Sequence, residues 1–147
     1  MPDKNKLRVV IDTNLLISSA IVQNSPPDKL VRLWLKKGFN LLVSTEQIEE
    51  IKDVSQRNKL KSRLLFSQRI TELLEGIEFV SESIEPIPQK NLPIHSRDLE
   101  DNFMLAAALG GKADYLITGD EDLLVLNGDP DLGNLKIVTA KEFLKLI

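Results

Sequence analysis

Cysteine is absent from the 147 residues, and histidine occurs once, at position 95. The first absence removes disulfides, zinc–thiolate centres and cysteine nucleophiles together. The second excludes His-rich metal sites and leaves Ser-His-Asp hydrolysis with one candidate base, in what reads as a loop beside Pro93. No apolar run approaches the ~20 residues needed to span a bilayer. Met1-Pro2-Asp3-Lys4-Asn5-Lys6 also lacks the apolar core of a signal peptide. A soluble, cytoplasmic protein without membrane contact is expected. Positive charge is not in excess either: 19 Lys and Arg stand against 22 Asp and Glu, for a net charge of −3. The field of the whole molecule therefore does not favour a polyanion. What the chain has in quantity is carboxylate.

The length implies one domain over residues 1–147. A chain of this size buries about two-thirds of its unfolded surface and needs no staple to hold a core. Leu7 to Ile11 is a short, β-branched run of the kind buried on both faces of a parallel sheet. Leu41 to Val43, Ile77 to Val80, Tyr115 to Thr118 and Lys136 to Val138 read as further strands. Helices are expected after Pro26-Pro27-Asp28, after Ser44 with Gln47 in the capping-box position, over Leu60 to Leu74 with a stop at Gly76, over Asp98 to Leu109, and after Thr139 with Glu142 as a second capping box. Pro86, Pro88 and Pro93 mark a loop or extended crossover, and Asp129 and Asp131 flank Pro130 in a turn. Strands alternating with helices imply right-handed crossovers: a three-layer α/β/α domain with a central, mostly parallel sheet of four to five strands.

In open α/β sheets the ligand crevice lies beyond the carboxyl ends of the strands. Asp12 follows Val9-Val10-Ile11, and Asp120 follows Ile117-Thr118-Gly119. Helix N-capping explains each singly. Glu50, with Glu46 on the same side, sits beside the apolar stripe Ile48 and Ile51, and Asp101 opens a helix within Asp98-Leu99-Glu100-Asp101. Each alone reads as an ordinary helix acid. Four carboxylates converging on one crevice would instead need cations, and oxygen-only donors select Mg²⁺ or Mn²⁺. Water acidified by such an ion attacks phosphodiesters without a His base.

The order Val9-Val10-Ile11-Asp12-Thr13-Asn14, Glu50 on the helix after Leu42-Val43-Ser44, Asp98-x-x-Asp101-Asn102 and Ile117-Thr118-Gly119-Asp120-Glu121-Asp122-Leu123-Leu124 resembles a PIN domain. Within that family it is most similar to the branch of toxin components of prokaryotic toxin–antitoxin systems, the VapC-like proteins. The likeness runs through Ile137 to Leu144, departing at Ala140, where that branch has Pro. It implies a Mg²⁺- or Mn²⁺-dependent endoribonuclease, often dimeric, with an RNA substrate and a cognate antitoxin protein. It assigns Asp12, Glu50, Asp101 and Asp120 as the catalytic and metal-binding quartet. Asp122 is a secondary metal acid, and Thr13, Asn14 and Thr118 orient carboxylates or water.

For RNA, the acidic balance is relieved locally. Lys52, Arg57, Lys59, Lys61 and Arg63 stand against Asp53 alone and are candidate phosphate contacts. A solvated helix face is the alternative. Trp34 is expected in the core, and Phe66, with Leu65 and Ile70, in amphipathic packing that doubles as a dimer or antitoxin surface. Two rivals remain open. A receiver or phosphotransfer domain also gathers Asp around Mg²⁺, but wants an acidic pair after its first strand, and a haloacid-dehalogenase-type phosphatase wants Asp at position 14, which is Asn. The other rival is a catalytically silent RNA- or partner-binding module.

Overall fold

The computed structural model describes residues 6–56 and 64–147. Five strands form one all-parallel sheet: β1 (Arg8–Ile11), β2 (Asn40–Val43), β3 (Glu82–Ser83), β4 (Tyr115–Ile117) and β5 (Lys136–Val138), in the order β3-β2-β1-β4-β5. Seven helices are seen among the described residues: α1 (Thr13–Ile21), α2 (Pro26–Leu35), α3 (Thr45–Ser55), α4 (Leu64–Val80), α5 (Leu99–Gly110), α6 (Glu121–Leu124) and α7 (Ala140–Leu146). None is long and apolar enough to cross a membrane.

β1 lies in the middle, so its apolar run is buried by both layers. Alternate residues on a strand face opposite ways. Val9 and Ile11 pack with Leu16, Leu30, Trp34, Ile51, Leu73 and Phe143 of α1, α2, α3, α4 and α7. Val10 and Leu116 pack with Leu105 and Ala106 of α5 and Leu123 of α6. Full burial of such side chains contributes ~1.5–3 kcal/mol each. Trp34 is fully buried, as its apolar helix face implies.

Three readings of the sequence need correction. Ile77 to Val80 is not a strand, because α4 continues through Gly76 to Val80. Gly76 is a point of close approach instead: a Cβ there would sit 2.7 Å from Leu35 Cδ2 and 2.9 Å from Trp34 Cη2. The third strand is the two-residue Glu82–Ser83, held beside β2 and by a bidentate Arg8–Glu82 pair at 2.8 and 2.7 Å. That pair raises the Arg8 pKa and lowers that of Glu82. Phe66 and Ile70 are buried in the core and so offer no docking surface. The expected helix start at Leu60, and Arg57, Lys59, Lys61 and Arg63, lie outside the described residues.

The proline-rich crossover is docked on α5. Ile87 N–H donates to Ala106 O at 3.0 Å, and a Cβ on Gly110 would meet Glu85 O at 2.1 Å. Backbone cannot yield as a flexible side chain can, so Gly110→Ala is expected to destabilise the protein by about 1–3 kcal/mol, read as a lowered urea midpoint at unchanged slope.

Candidate active site

Each strand that ends in an acid hands the chain to a helix, and the acid caps that helix. Asp12 Oδ1 accepts from Asn14 N–H at 3.2 Å at the start of α1. Asp120 Oδ1 accepts from Asp122 N–H at 2.9 Å at the start of α6. The capping explanation is thus correct for both, and it is incomplete. β1 and β4 are neighbours with Ile11 opposite Ile117, so the two acids emerge side by side. Thr118, fully buried, joins them: its hydroxyl donates to Asp12 Oδ2 at 2.9 Å and accepts from Asp120 N–H at 3.0 Å.

A cavity of about 220 Å³ opens over this edge, lined by Asp12, Thr13, Asn14, Glu50, Asp98, Glu100, Asp101, Phe103, Met104 and Asp120. The four acids of the quartet therefore face one space, from β1, α3, α5 and β4. Glu46, although on the same side of α3 by spacing, does not line it; Glu50 does. His95 is exposed and does not line it.

Asp101 is held most firmly. It is 5% exposed and accepts from Ser96 Oγ at 3.2 Å. Asn102 secures that loop, accepting from Ser96 N–H at 2.6 Å and donating to Ser96 O at 3.4 Å. Burial, then the charge of Asp120 and a hydrogen bond with it, push the Asp101 carboxyl up to about 6, against the bond from Ser96.

Asp98, Asp101 and Asp120 each present a carboxylate oxygen within 4.8 Å of the others. Three oxygen donors of like charge, with no Lys or Arg among the described residues lining the cavity, are a donor set that fits a divalent cation. Asp98 is the residue that the sequence did not single out. Its carboxylate caps α5, accepting from Glu100 N–H at 2.9 Å, and the Asp-x-x-Asp spacing is the only signal that could have marked it.

Asp122 is placed differently. It does not line the cavity, and its Oδ1 meets Arg97 Nη2 at 2.6 Å, an exposed pair that raises the Arg97 pKa. Thr13 is buried, its hydroxyl accepting from Gln47 Nε2 at 3.3 Å. Lys52 is exposed and lines a separate groove between α3 and α4.

A PIN domain family model matches residues 8–122. The uncharacterized protein MJ1680 of Methanocaldococcus jannaschii is 34% identical over 148 residues, covering 97% of this chain and 93% of that one. Two solved structures share the fold at low identity. PAE2754 from Pyrobaculum aerophilum superposes with a TM-score of 0.60 at 15% identity, over 95% of this chain and 88% of that one. VapBC2 from Rickettsia felis, bound to a DNA fragment from their promoter, gives 0.53 at 16%, over 90% and 98%. With its match running from the first strand into the helix after the fourth, the chain belongs to the PIN domain family, whose members are generally nucleases that use divalent metals.

Proposed function

We propose that this protein is a divalent-cation-dependent endoribonuclease and the toxin of a toxin–antitoxin pair. The observation that carries the reading is the convergence of Asp12, Glu50, Asp101 and Asp120, from four distant segments, on one cavity. Asp12, Asp101 and Asp120 would hold Mg²⁺ or Mn²⁺, with Asp98 in reach of the same ion. When bound, the cation supplies acidified water as nucleophile and charge compensation for the phosphodiester oxygens.

The protein's own part is orientation and charge. Thr118 keeps one oxygen of Asp12 aimed and the Asp120 backbone fixed, while each acid spends its other hydrogen bond on a helix cap. Glu50, exposed on α3, is free to orient the attacking water or to bind a second ion. Asp122 joins it only by leaving Arg97. Thr13 and Asn14 complete the wall beside Asp12.

Incubating purified protein with single-stranded RNA, single-stranded DNA and EDTA-treated controls tests this. RNA should be cut in Mg²⁺ or Mn²⁺ and spared in EDTA. Cleavage undiminished by chelation, or of DNA alone, would refute it. Substrate phosphates would be met by Arg57, Lys59, Lys61 and Arg63, and by Lys52 where the RNA runs on into the groove between α3 and α4. Reversing Lys59 and Lys61 together should flatten the log–log salt slope of RNA binding by about 1.4, from about 0.7 per phosphate contact on a single strand. An unchanged slope removes the basic stretch from the interface. The fold shared with VapBC2 favours an antitoxin partner, and a homodimer is proposed from the family resemblance alone; co-purification of a co-expressed neighbouring protein and the mass in solution test each.

A further inference from the structure

Ser44-x-x-Gln47 has the capping-box pattern, and half of it forms: Ser44 Oγ accepts from Gln47 N–H at 3.3 Å. The Gln47 side chain does not return to Ser44. Its Nε2 crosses to the end of β1, donating to Ile11 O at 2.8 Å and to Thr13 Oγ1 at 3.3 Å. Gln47 is 1% exposed, and its Oε1 is buried with no partner among the described residues. The unpaired Oε1 carries a desolvation cost, set against the hydrogen bond that the amide gives to the buried Ile11 carbonyl. What it provides is a donor, and the donor falls on one particular peptide.

The Ile11–Asp12 peptide is held from both sides. Its N–H donates to Ile117 O on β4 at 2.9 Å, and its C=O accepts from Gln47 on the opposite side. Clamping that plane sets the direction in which Asp12 leaves the strand. The same side chain anchors α3 to β1 one turn before Glu50, and so sets Glu50 against Asp12. We infer that Gln47 is a positioning residue that fixes Asp12 and Glu50 relative to each other for cation binding and turnover. This rests on the metal-nuclease reading above.

The test is Mn²⁺ titration by electron paramagnetic resonance, with RNA-cleavage kinetics on the same samples, for wild type, Gln47→Met and Gln47→Glu. Met keeps the length and removes both donors; Glu keeps the shape and the Ser44 cap and sets an acceptor against Ile11 O. Both variants should bind Mn²⁺ at least about 10-fold more weakly, as for lost outer-shell partners of metal ligands. Both should also lower kcat with little change in KM. A purely structural role would lower only the melting temperature. If wild type binds Mn²⁺ and either folded variant binds it equally with unchanged kcat, the inference is overturned while the nuclease reading stands. If wild type itself binds no Mn²⁺, the nuclease reading fails first.

Discussion

Replacing Asp101 by Asn is expected to stabilise the metal-free protein and to abolish hydrolysis in the same step. The side chain is 5% exposed and lies against Asp120, and its pKa is raised from 3.8 to about 6. A folded pKa above the unfolded value means that the neutral form favours folding. The stability contributed by protonated Asp101 is full below about pH 4 and is lost as the pH rises through about 6. At 1.36 kcal/mol per pH unit, the charged carboxylate then costs on the order of 3 kcal/mol. Asn carries no charge and removes that cost, so at pH 7.5 in EDTA the melting temperature should rise by roughly 5–10 °C. At pH 4 the gain should vanish. Saturating Mg²⁺ should raise the wild type and not the variant, because the ion neutralises what Asn has already removed. Hydrolysis should fall by about a thousandfold or more with a charged ligand gone. Melts at the two pH values, with and without Mg²⁺, beside a cleavage assay, give all four numbers. A variant that is no more stable and cuts RNA normally contradicts the assignment.

Thr118→Val should act with the opposite sign on stability. The hydroxyl is fully buried and serves Asp12 Oδ2 and Asp120 N–H at once. Valine has nearly the same shape, so little packing is lost. It leaves a part-buried N–H without its acceptor and a part-buried carboxylate without its donor, a loss of about 1–3 kcal/mol. Turnover should fall about 10–100-fold, as for other lost outer-shell partners. Thr118→Ser restores the hydroxyl and should recover most of the activity. If Val matches wild type in rate at saturating Mg²⁺, Thr118 does not orient the acids.

Asp12 and Asp120 could be read from the sequence because the signal was local, whereas Asp101 was marked by a helix start and Thr118 only by the family resemblance. An acid after an apolar strand marks a strand end, and a parallel sheet sends all such ends to one edge. β1 and β4 were recognisable for the same reason. β3 was not: Glu82–Ser83 is two polar residues, defined by pairing with β2 and by Arg8 reaching across. Ile77 to Val80 reads as a strand by its residue types, yet Leu73 and Ile77 are both buried at the i, i+4 spacing of a helix, and α4 carries on. Gly76 looks like a stop because the approach of Trp34 is invisible along the chain. Gln47 shows the same limit at the site. Its spacing announces a cap, and only the fold reveals that the amide leaves for Ile11. Asp122 and Arg97, 25 positions apart, likewise meet only through the fold.

The central claim is that the acids at the carboxyl edge of the sheet hold a cation, and anomalous diffraction at the manganese edge from crystals grown in Mn²⁺ tests it most directly. A peak within coordination distance of Asp101 and Asp120, bordered by Asp12, is the expected result. Saturating Mn²⁺ with no density there, or with density only at unrelated surface acids such as Asp129 and Asp131, would contradict it.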